Sequence, residues 1–184
     1  VCFDTETDRL DALHANLTGI SFSYKAREAF YVATPNNFDD AKKIVEEFRP
    51  FFESQNIEKI AHNIKYDIKV INRYGINVLA PLFDTMIAHY LINPESKHGM
   101  DILAEKFLNY KAVSIVELIG KKGKNQKSMA DLAPEEVSDY ACEDADITFQ
   151  LKQIFEPEIQ KDHLKDLFYN IEMPLVDVLK SMEQ

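Results

Sequence analysis

Phe3-Asp4-Thr5-Glu6-Thr7 is a short run near the start of the chain that has the character of a β-strand and carries two carboxylates. Side chains along a strand alternate between its two faces, so Asp4 and Glu6 point to the same side. Two carboxylates so close repel each other unless a cation or a hydrogen-bond donor lies between them. The run therefore predicts either a cation site on one face of a sheet or a solvated acidic strand end.

The sequence on both sides of this run predicts one domain in which strands come first and helices dominate the second half. Apolar and alternating stretches predict strands at 1–5, 17–24, 29–33, 57–61 and 77–79. Helical spacing predicts helices at 39–53, 64–74, 84–91, 101–108, 134–155 and over much of 164–182. This order predicts an α/β or α+β domain, with a mixed central sheet of about five strands flanked by helices.

A second polar motif, His62-Asn63-Ile64-Lys65-Tyr66-Asp67, lies where a predicted strand gives way to a helix. Asn63 and Asp67 are four residues apart, so both can lie on one helical face. The alternative interpretation is that Asn63 is a plain helix cap and that Asp67 is solvated.

The third motif, Tyr140-Ala141-Cys142-Glu143-Asp144, lies within the longest predicted helix. Tyr140 and Asp144 share a face that is otherwise apolar, which is unfavourable unless they meet something polar. A core tyrosine with a satisfied hydroxyl is the alternative for Tyr140. Glu143 and Asp146 lie off this direction, and we predict that both are solvated.

Together, the motifs supply Asp4, Glu6, Asp67 and Asp144, whose oxygen atoms suit Mg²⁺ or Mn²⁺. Two such ions can activate a water molecule for in-line attack on phosphorus and stabilise the departing oxygen. Asp84 and Asp101 each precede an apolar helical run, and we interpret them as helix N-caps rather than catalytic groups.

The composition is that of a folded domain, but its charge argues against nucleic-acid binding. The chain has 184 residues, of which 46% are hydrophobic, and a formal net charge of −10. A domain that binds DNA usually neutralises phosphates with Lys and Arg. An acidic chain that binds DNA therefore needs bound cations or help from another part of its protein.

Other features indicate the setting of the chain. It begins Val1-Cys2-Phe3, without an initiator methionine or a signal peptide, and we interpret it as a piece of a longer protein. Cys2 and Cys142 lack CxxC spacing, which indicates free thiols in a reducing cytoplasm. No apolar run approaches the roughly 18 residues of a membrane span.

The three motifs FDTET, HNIKYD and YACED resemble those of the 3′–5′ proofreading exonuclease domain of bacterial DNA polymerase I. This is the tyrosine branch of the four-carboxylate exonucleases, which share a ribonuclease H-like fold. The resemblance continues through FDTM, GKNQ and EDADIT to NIEMPL and covers nearly the whole chain. It implies that residues 1–184 form one exonuclease domain of a longer DNA polymerase I, with a polymerase domain after residue 184.

The resemblance also implies roles for the carboxylates and the tyrosine. Asp4, Glu6 and Asp144 would hold the tighter of two divalent ions, Mg²⁺ or its substitute Mn²⁺, and Asp4 would bridge to the second ion. Asp67 would support the second ion, partly through water. Tyr140 would orient the attacking water, because a phenol is normally neutral near pH 7.

By the same resemblance, the substrate-binding residues are Thr7, Leu10, Asn63, Tyr66 and Lys97. Leu10 would wedge against the last base and Tyr66 would stack beside one, a contact that tolerates any sequence. Lys97 stands where arginine is common in relatives, so a bidentate phosphate contact becomes a point-charge contact. His62 stands where relatives carry glutamine, and Ile115 where an aromatic residue contacts DNA.

We therefore expect a monomeric exonuclease in the bacterial cytoplasm that releases deoxynucleoside monophosphates from single-stranded or frayed DNA 3′ ends. The polymerase domain of the same chain would be its partner. Two alternatives are an RNA-trimming exonuclease of the same superfamily and a catalytically silent module that binds DNA or braces a polymerase. The basic loop 121–127 would either contact the DNA backbone or remain solvated.

Overall fold

The computed structural model of the protein describes residues 1–121, 123, 126–161 and 163–183. Its strands are β1 (Cys2–Thr7), β2 (Leu17–Lys25), β3 (Glu28–Ala33), β4 (Lys59–Ala61) and β5 (Leu82–Asp84). They form one sheet in the order β3-β2-β1-β4-β5. The pairs β1–β2 and β2–β3 are antiparallel, whereas β1–β4 and β4–β5 are parallel. This mixed five-stranded sheet confirms the predicted fold class.

Helices flank the sheet and make up most of the second half of the described chain. They are α1 (Phe38–Glu46), α2 (Arg49–Phe52), α3 (Ile64–Arg73), α4 (Thr85–Ile92), α5 (Met100–Leu103), α6 (Ile115–Ile119), α7 (Pro134–Lys161), α8 (Lys165–Leu167) and α9 (Met173–Glu183). π-helical turns at Ala104–Leu108 and Phe168–Glu172 follow α5 and join α8 to α9, and a 3₁₀ turn at Met129–Asp131 precedes α7. Among the described residues, no helix is long and apolar enough to cross a membrane.

The central strand β1 separates two kinds of side chain. Phe3 is fully buried and makes edge contacts with Phe51 and Phe52 of α2. Asp4 and Glu6 point to the opposite face, where α7 packs across β1, β2 and β3. The alternation of side chains along β1 thus puts apolar groups into the core and both carboxylates beneath the 28-residue helix α7.

A glycine in β2 permits close packing at the position paired with Glu6. Gly19 lies opposite Glu6 in the β1–β2 ladder. A Cβ atom at Gly19 would lie 2.2 Å from the hydroxyl oxygen of Tyr31. Tyr31 crosses this position and donates to the carbonyl of Thr18 at 2.9 Å, so any larger residue at position 19 would displace the tyrosine.

The strand predicted at 77–79 is wrong, because the fifth strand lies a few residues later. Leu82 pairs in parallel with Lys59 of β4. The amide of Leu79 instead donates to the carbonyl of Phe52, which lies in a helix and not in the sheet. Apolar composition alone does not distinguish these two stretches; their backbone hydrogen-bond partners do.

Two helix predictions also differ from the structure. The helix predicted at 39–53 is divided into α1 and α2, because Pro50 near the start of α2 has no N–H with which to continue α1. Asp101 is not an N-cap, because Gly99 occupies that position before α5.

Asp84 is the N-cap of α4, as predicted, and it also closes the start of α3. Its carboxylate accepts hydrogen bonds from the amides of Met86 and Ile87 at 2.8 and 3.2 Å. It accepts two more from the amides of Asn63 and Ile64 at 3.2 and 2.8 Å. Asp84 is only 1% exposed, so these donors compensate for the burial of its charge. One side chain thereby fixes the end of β5 against the start of α3.

We expect Asp84→Ala to lower the free energy of unfolding by about 3 kcal/mol, because four amides lose their acceptor. Urea titration followed by circular dichroism measures the loss. Asp101→Ala is the matched control: Asp101 is exposed in the first turn of α5, and its side chain accepts no hydrogen bond from the described residues. Its effect should stay within about 0.5 kcal/mol, and an equal loss in both variants would contradict the prediction.

Candidate active site

Three carboxylates meet between the sheet and the long helix. One oxygen atom from each of Asp4, Glu6 and Asp144 lies within 4.8 Å of the other two. β1 supplies Asp4 and Glu6, and α7 supplies Asp144 from a face whose neighbours Ala141 and Ala145 are fully buried. Asp144, which lies 140 positions after Asp4, thus joins Asp4 and Glu6 in one acidic cluster, which we call the carboxylate trio.

Asp67 lies in the same cleft but is oriented separately from the carboxylate trio. Its Oδ1 atom accepts the amide hydrogen of Thr5 at 3.0 Å and the Thr5 hydroxyl hydrogen at 2.6 Å. Oδ1 accepts both hydrogen bonds, so neither of them engages the Oδ2 atom of Asp67. Asp67 is 2% exposed, and the interpretation that it is a solvated side chain is wrong.

Burial makes the four carboxylates unusually hard to ionise. Burial raises the pKa of Asp4 to about 6 from an ordinary 3.8. Burial also raises the pKa values of Glu6, Asp67 and Asp144 well above their ordinary ranges, and the nearby negative charge of Asp4 adds to each shift. Charges of one sign gathered in a largely buried cluster require a compensating positive charge.

The donor set fits a divalent cation. Oε1 of Glu6 is buried and has no hydrogen-bond partner among the described residues. A buried carboxylate oxygen without a donor is costly unless a cation satisfies it. Carboxylate oxygens are the ligands that Mg²⁺ and Mn²⁺ prefer, so the carboxylate trio has both the chemistry and the unsatisfied atom of a metal site.

Tyr140 lines the cleft one helical turn before Asp144. Burial raises the pKa of its hydroxyl far above 10, and the charges of Asp144 and Glu6 raise it further. The phenol is therefore neutral at pH 7, and its hydroxyl faces acidic groups rather than the apolar core. It can donate or accept a hydrogen bond but does not act as an ionised base.

The cleft has a volume of about 440 Å³, and four of the predicted substrate-binding residues line it: Thr7, Leu10, Asn63 and Tyr66. The hydroxyl oxygens of Thr7 and Tyr66 lie 2.7 Å apart, and each lies within hydrogen-bond distance of the carbonyl of Arg9. Leu10 is 90% exposed, which leaves an apolar side chain free at the rim.

Asn63 is not a plain helix cap. It precedes α3 in a left-handed conformation, with φ of 65°, and its side chain makes no capping hydrogen bond. Asp84 supplies the acceptor for the start of α3 instead. The exposed side chain of Asn63 is therefore free at the wall of the cleft.

Lys97 lies in the exposed loop between α4 and α5 and does not line the cleft. His62 does line it, with Nδ1 2.8 Å from the hydroxyl oxygen of Thr85. Ile115 also lines the cleft. Of the basic loop, Lys127 lies at the cleft, whereas residues 122, 124 and 125 lie outside the described residues.

Several residues that line the cleft could not be predicted from the spacing of the sequence motifs. Arg9, Ile119, Ser128 and Met129 line the cleft because loops and α6 bring them there. Glu143 and Asp146, which we predicted to be solvated, are half-buried, and both accept hydrogen bonds from distant parts of the chain. Asp146 accepts the amide hydrogen of Arg27 at 2.6 Å, and Glu143 accepts two hydrogen bonds from the segment before α6.

The chain is similar in sequence to proteins of known family. A family model described as 3′–5′ exonuclease matches residues 1–160. The chain belongs to this 3′–5′ exonuclease family. DNA polymerase I of Borreliella burgdorferi is 39% identical to this exonuclease chain, and the match covers 100% of the chain and 20% of that polymerase. The chain thus spans about a fifth of the length of the curated relatives that it matches.

Solved structures share the fold of this exonuclease at lower sequence identity. NrnC from Brucella melitensis, bound to pGG, matches with a TM-score of 0.73 and 20% identity, covering 99% of the chain and 81% of NrnC. Another structure of NrnC contains Mg²⁺. Escherichia coli RNase D, an exoribonuclease, matches with a TM-score of 0.71 and 16% identity, covering 97% of the chain and 44% of RNase D. The ribonuclease H-like exonuclease fold is thereby confirmed.

We expect Asp4→Asn to stabilise the metal-free exonuclease at pH 7 by up to about 3 kcal/mol, because it removes a buried charge. The pKa of Asp4 is about 6 in the folded chain and 3.8 ordinarily. The folded chain therefore holds this proton more tightly, and stability is lost as the pH rises from about 4 through 6. Thermal unfolding in chelator, measured between about pH 4 and 8, tests this dependence.

Asp39→Asn, at an exposed position on α1, is the control for the loss of one negative charge. Its stability should follow the pH in parallel with that of the parent. Mg²⁺ or Mn²⁺ should raise the unfolding temperature of the parent more than that of Asp4→Asn. Equal stabilisation of both proteins would count against a metal site at Asp4.

Proposed function

We propose that the chain is a proofreading 3′–5′ exodeoxyribonuclease domain that releases deoxynucleoside monophosphates from single-stranded or frayed DNA 3′ ends. The observation that carries this proposal is the carboxylate trio, Asp4, Glu6 and Asp144, within 4.8 Å. Tyr140 and Asp67 line the same cleft. Such a group of carboxylates suits phosphodiester hydrolysis better than any other chemistry that these residues offer.

Asp4, Glu6, Asp144 and Asp67 are the residues that would hold two divalent ions, Mg²⁺ or Mn²⁺. When bound, such ions activate a water molecule and stabilise the oxygen that departs from phosphorus. The separate orientation of Asp67 by Thr5 suits a ligand of the second position. The unsatisfied Oε1 of Glu6 suits a ligand of the first.

Tyr140 would position the attacking water. Its neutral hydroxyl lies on the same helix as Asp144 and faces the acidic cleft. A hydrogen bond from or to water fixes the direction of attack without transfer of the phenolic proton. An ionised carboxylate or solvent would accept the proton of the water, and divalent ions would lower the pKa of that water when bound.

Thr7, Leu10, Asn63 and Tyr66 would hold the terminal nucleotides. Leu10, which is largely exposed at the rim, would wedge against the last base, and the ring of Tyr66 would stack beside one. These contacts require bases that are already splayed, so unpaired and mispaired ends would be preferred. Lys97, outside the lining of the cleft, would contact a phosphate farther along the strand.

The net charge of −10 predicts weak binding of DNA with a steep dependence on salt. We infer that the chain works as one domain, residues 1–184, of a longer DNA polymerase I in the bacterial cytoplasm, and that a polymerase domain of the same chain follows it. The sequence relatives that it matches carry that name and are about five times longer. Their remaining length is where additional DNA affinity would reside.

RNA trimming is the second candidate function, favoured by the structural match to RNase D. That match has 16% identity, whereas the polymerase relative has 39% over the whole chain. DNA is therefore the substrate that we favour. Parallel digestion of DNA and RNA oligonucleotides of the same sequence distinguishes the two.

We expect a 5′-labelled single-stranded DNA oligonucleotide to be shortened from its 3′ end with Mg²⁺ or Mn²⁺ and not with chelator. Asp67→Ala should slow this digestion by at least about 1,000-fold, because the second ion loses one of its protein ligands. Gel electrophoresis of the labelled products at low salt measures both the direction and the rate.

Asp39→Ala is the matched control, because Asp39 is an exposed aspartate on α1 outside the cleft. It should digest DNA as fast as the parent. Full activity in Asp67→Ala would contradict the assignment of Asp67 as a metal ligand. No digestion by the parent at any metal concentration would favour a silent module that binds DNA or braces a polymerase.

We expect Tyr140→Phe to lower kcat by about 100-fold and to leave KM nearly unchanged, because only the orientation of the water is lost. Steady-state digestion of the same oligonucleotide separates the two parameters. Tyr169→Phe is the control, since the Tyr169 hydroxyl donates to Glu156 outside the cleft. A rise in KM without a fall in kcat would contradict the positioning role.

A further inference from the structure

Residues 109–119, here called the strap, lead from the π-helical turn after α5 into α6 and border the cleft. None of these residues is buried. Tyr110 is 47% exposed and Val113 is 44% exposed. Leu118 and Ile119 in α6 pack against a small buried cluster, whereas Tyr110 and Val113 before α6 bury little apolar surface. Specific hydrogen bonds must therefore hold the part of the strap before α6.

Glu143 on α7 holds the strap with both of its carboxylate oxygens. Oε1 accepts the hydroxyl hydrogen of Tyr110 at 2.5 Å. Oε2 accepts the amide hydrogen of Val113 at 2.7 Å. Hydrogen bonds to a charged acceptor are short and roughly twice as strong as neutral ones, and two of them fix a direction as well as a distance.

The segment that Glu143 holds continues directly into the wall of the cleft. Ser114 follows Val113 and caps α6 by accepting the amide hydrogen of Val116 at 3.2 Å. α6 then places Ile115 and Ile119 along the cleft that contains Asp144. The position of this apolar wall thus depends on a carboxylate that neighbours Asp144 in the chain.

The hydrogen bonds of Glu143 also distinguish it from the carboxylates that would hold metal ions. Each oxygen already accepts one hydrogen bond from the strap. Glu143 does not join Asp4, Glu6 and Asp144 in the carboxylate trio. Its loss is therefore expected to affect the strap and to spare the binding of divalent ions.

We propose that Glu143 is a positioning residue that clamps the strap beside the cleft, so that Ile115 and Ile119 form a fixed wall against the terminal nucleotide of the DNA. This proposal rests on the proposed function, because the wall is given a DNA substrate. The clamp sets how well the substrate is engaged, whereas Tyr140 and the carboxylate trio set the rate of hydrolysis once it is bound.

The experiment combines hydrogen exchange with steady-state digestion for the parent, Glu143→Ala and Tyr110→Phe. In Glu143→Ala the amides of the strap should exchange about tenfold faster and KM for the oligonucleotide should rise about tenfold. kcat and the metal concentration for half-maximal activity should change by less than about twofold. Tyr110→Phe removes one of the two hydrogen bonds. It should raise KM by about a third as much as Glu143→Ala does.

Asp139→Ala is the matched control: it removes one negative charge from α7 a turn before Glu143, at an exposed side chain that makes no hydrogen bond with the described residues. It should match the parent in exchange and in KM. Glu143→Ala combined with Tyr110→Phe should be no worse than Glu143→Ala alone, because the two changes remove a shared bond.

Unchanged exchange of the strap in Glu143→Ala would overturn the clamp. A large rise in the metal concentration for half-maximal activity would overturn it too, since Glu143 would then act on the ions. If Glu143→Ala does not fold, Tyr110→Phe tests the same bond from an exposed side chain, and unaltered KM and exchange there would reject the proposal. An inactive parent whose strap loses protection in Glu143→Ala and not in Asp139→Ala would refute the proposed function and support the clamp.

Discussion

The mutual repulsion of Asp4, Glu6 and Asp144 is the constraint around which this domain is built. Three largely buried carboxylates with oxygen atoms within 4.8 Å of one another oppose folding by themselves. The surrounding structure must therefore be stable enough to hold the three carboxylates together in the absence of a cation. That requirement explains why β1, which carries two of them, is the central strand, paired on both edges and covered on both faces.

Buried polar contacts that are individually small hold this arrangement in place. Asp84 joins β5 to the starts of α3 and α4 through four amides, and α3 in turn carries Asp67. Thr5 then fixes Asp67 through its backbone and its side chain. Gly19 lets Tyr31 pack across the sheet opposite Glu6. Each contact links elements that are distant in sequence, so the site is a property of the assembled sheet and helices.

The acidic surface has a physical consequence for the proposed substrate. Two lysines of α3, Lys65 and Lys69, are already paired with Glu183 near the end of α9. Arg9, a cation that lines the cleft, is paired with Asp8 at 2.9 Å, so its charge too is neutralised within the domain. In the proposed function, cations held by the carboxylates would lie beside the scissile phosphate, which would tie DNA engagement to metal binding. Such coupling suits a site that would hydrolyse only a phosphodiester bond positioned beside the ions.

The sequence by itself determined the class of fold, the three motifs and the identity of the acidic residues, because alternation along β1 and i, i+4 spacing on α7 are local properties. It also indicated that Asp84 caps a helix, since capping involves neighbouring amides. Only the tertiary structure decided that Leu82–Asp84 is the fifth strand, that Glu143 binds the strap and that Lys97 lies outside the cleft. The physical reason is that these outcomes depend on hydrogen-bond partners and surfaces brought together from distant parts of the chain, about which local periodicity carries no information.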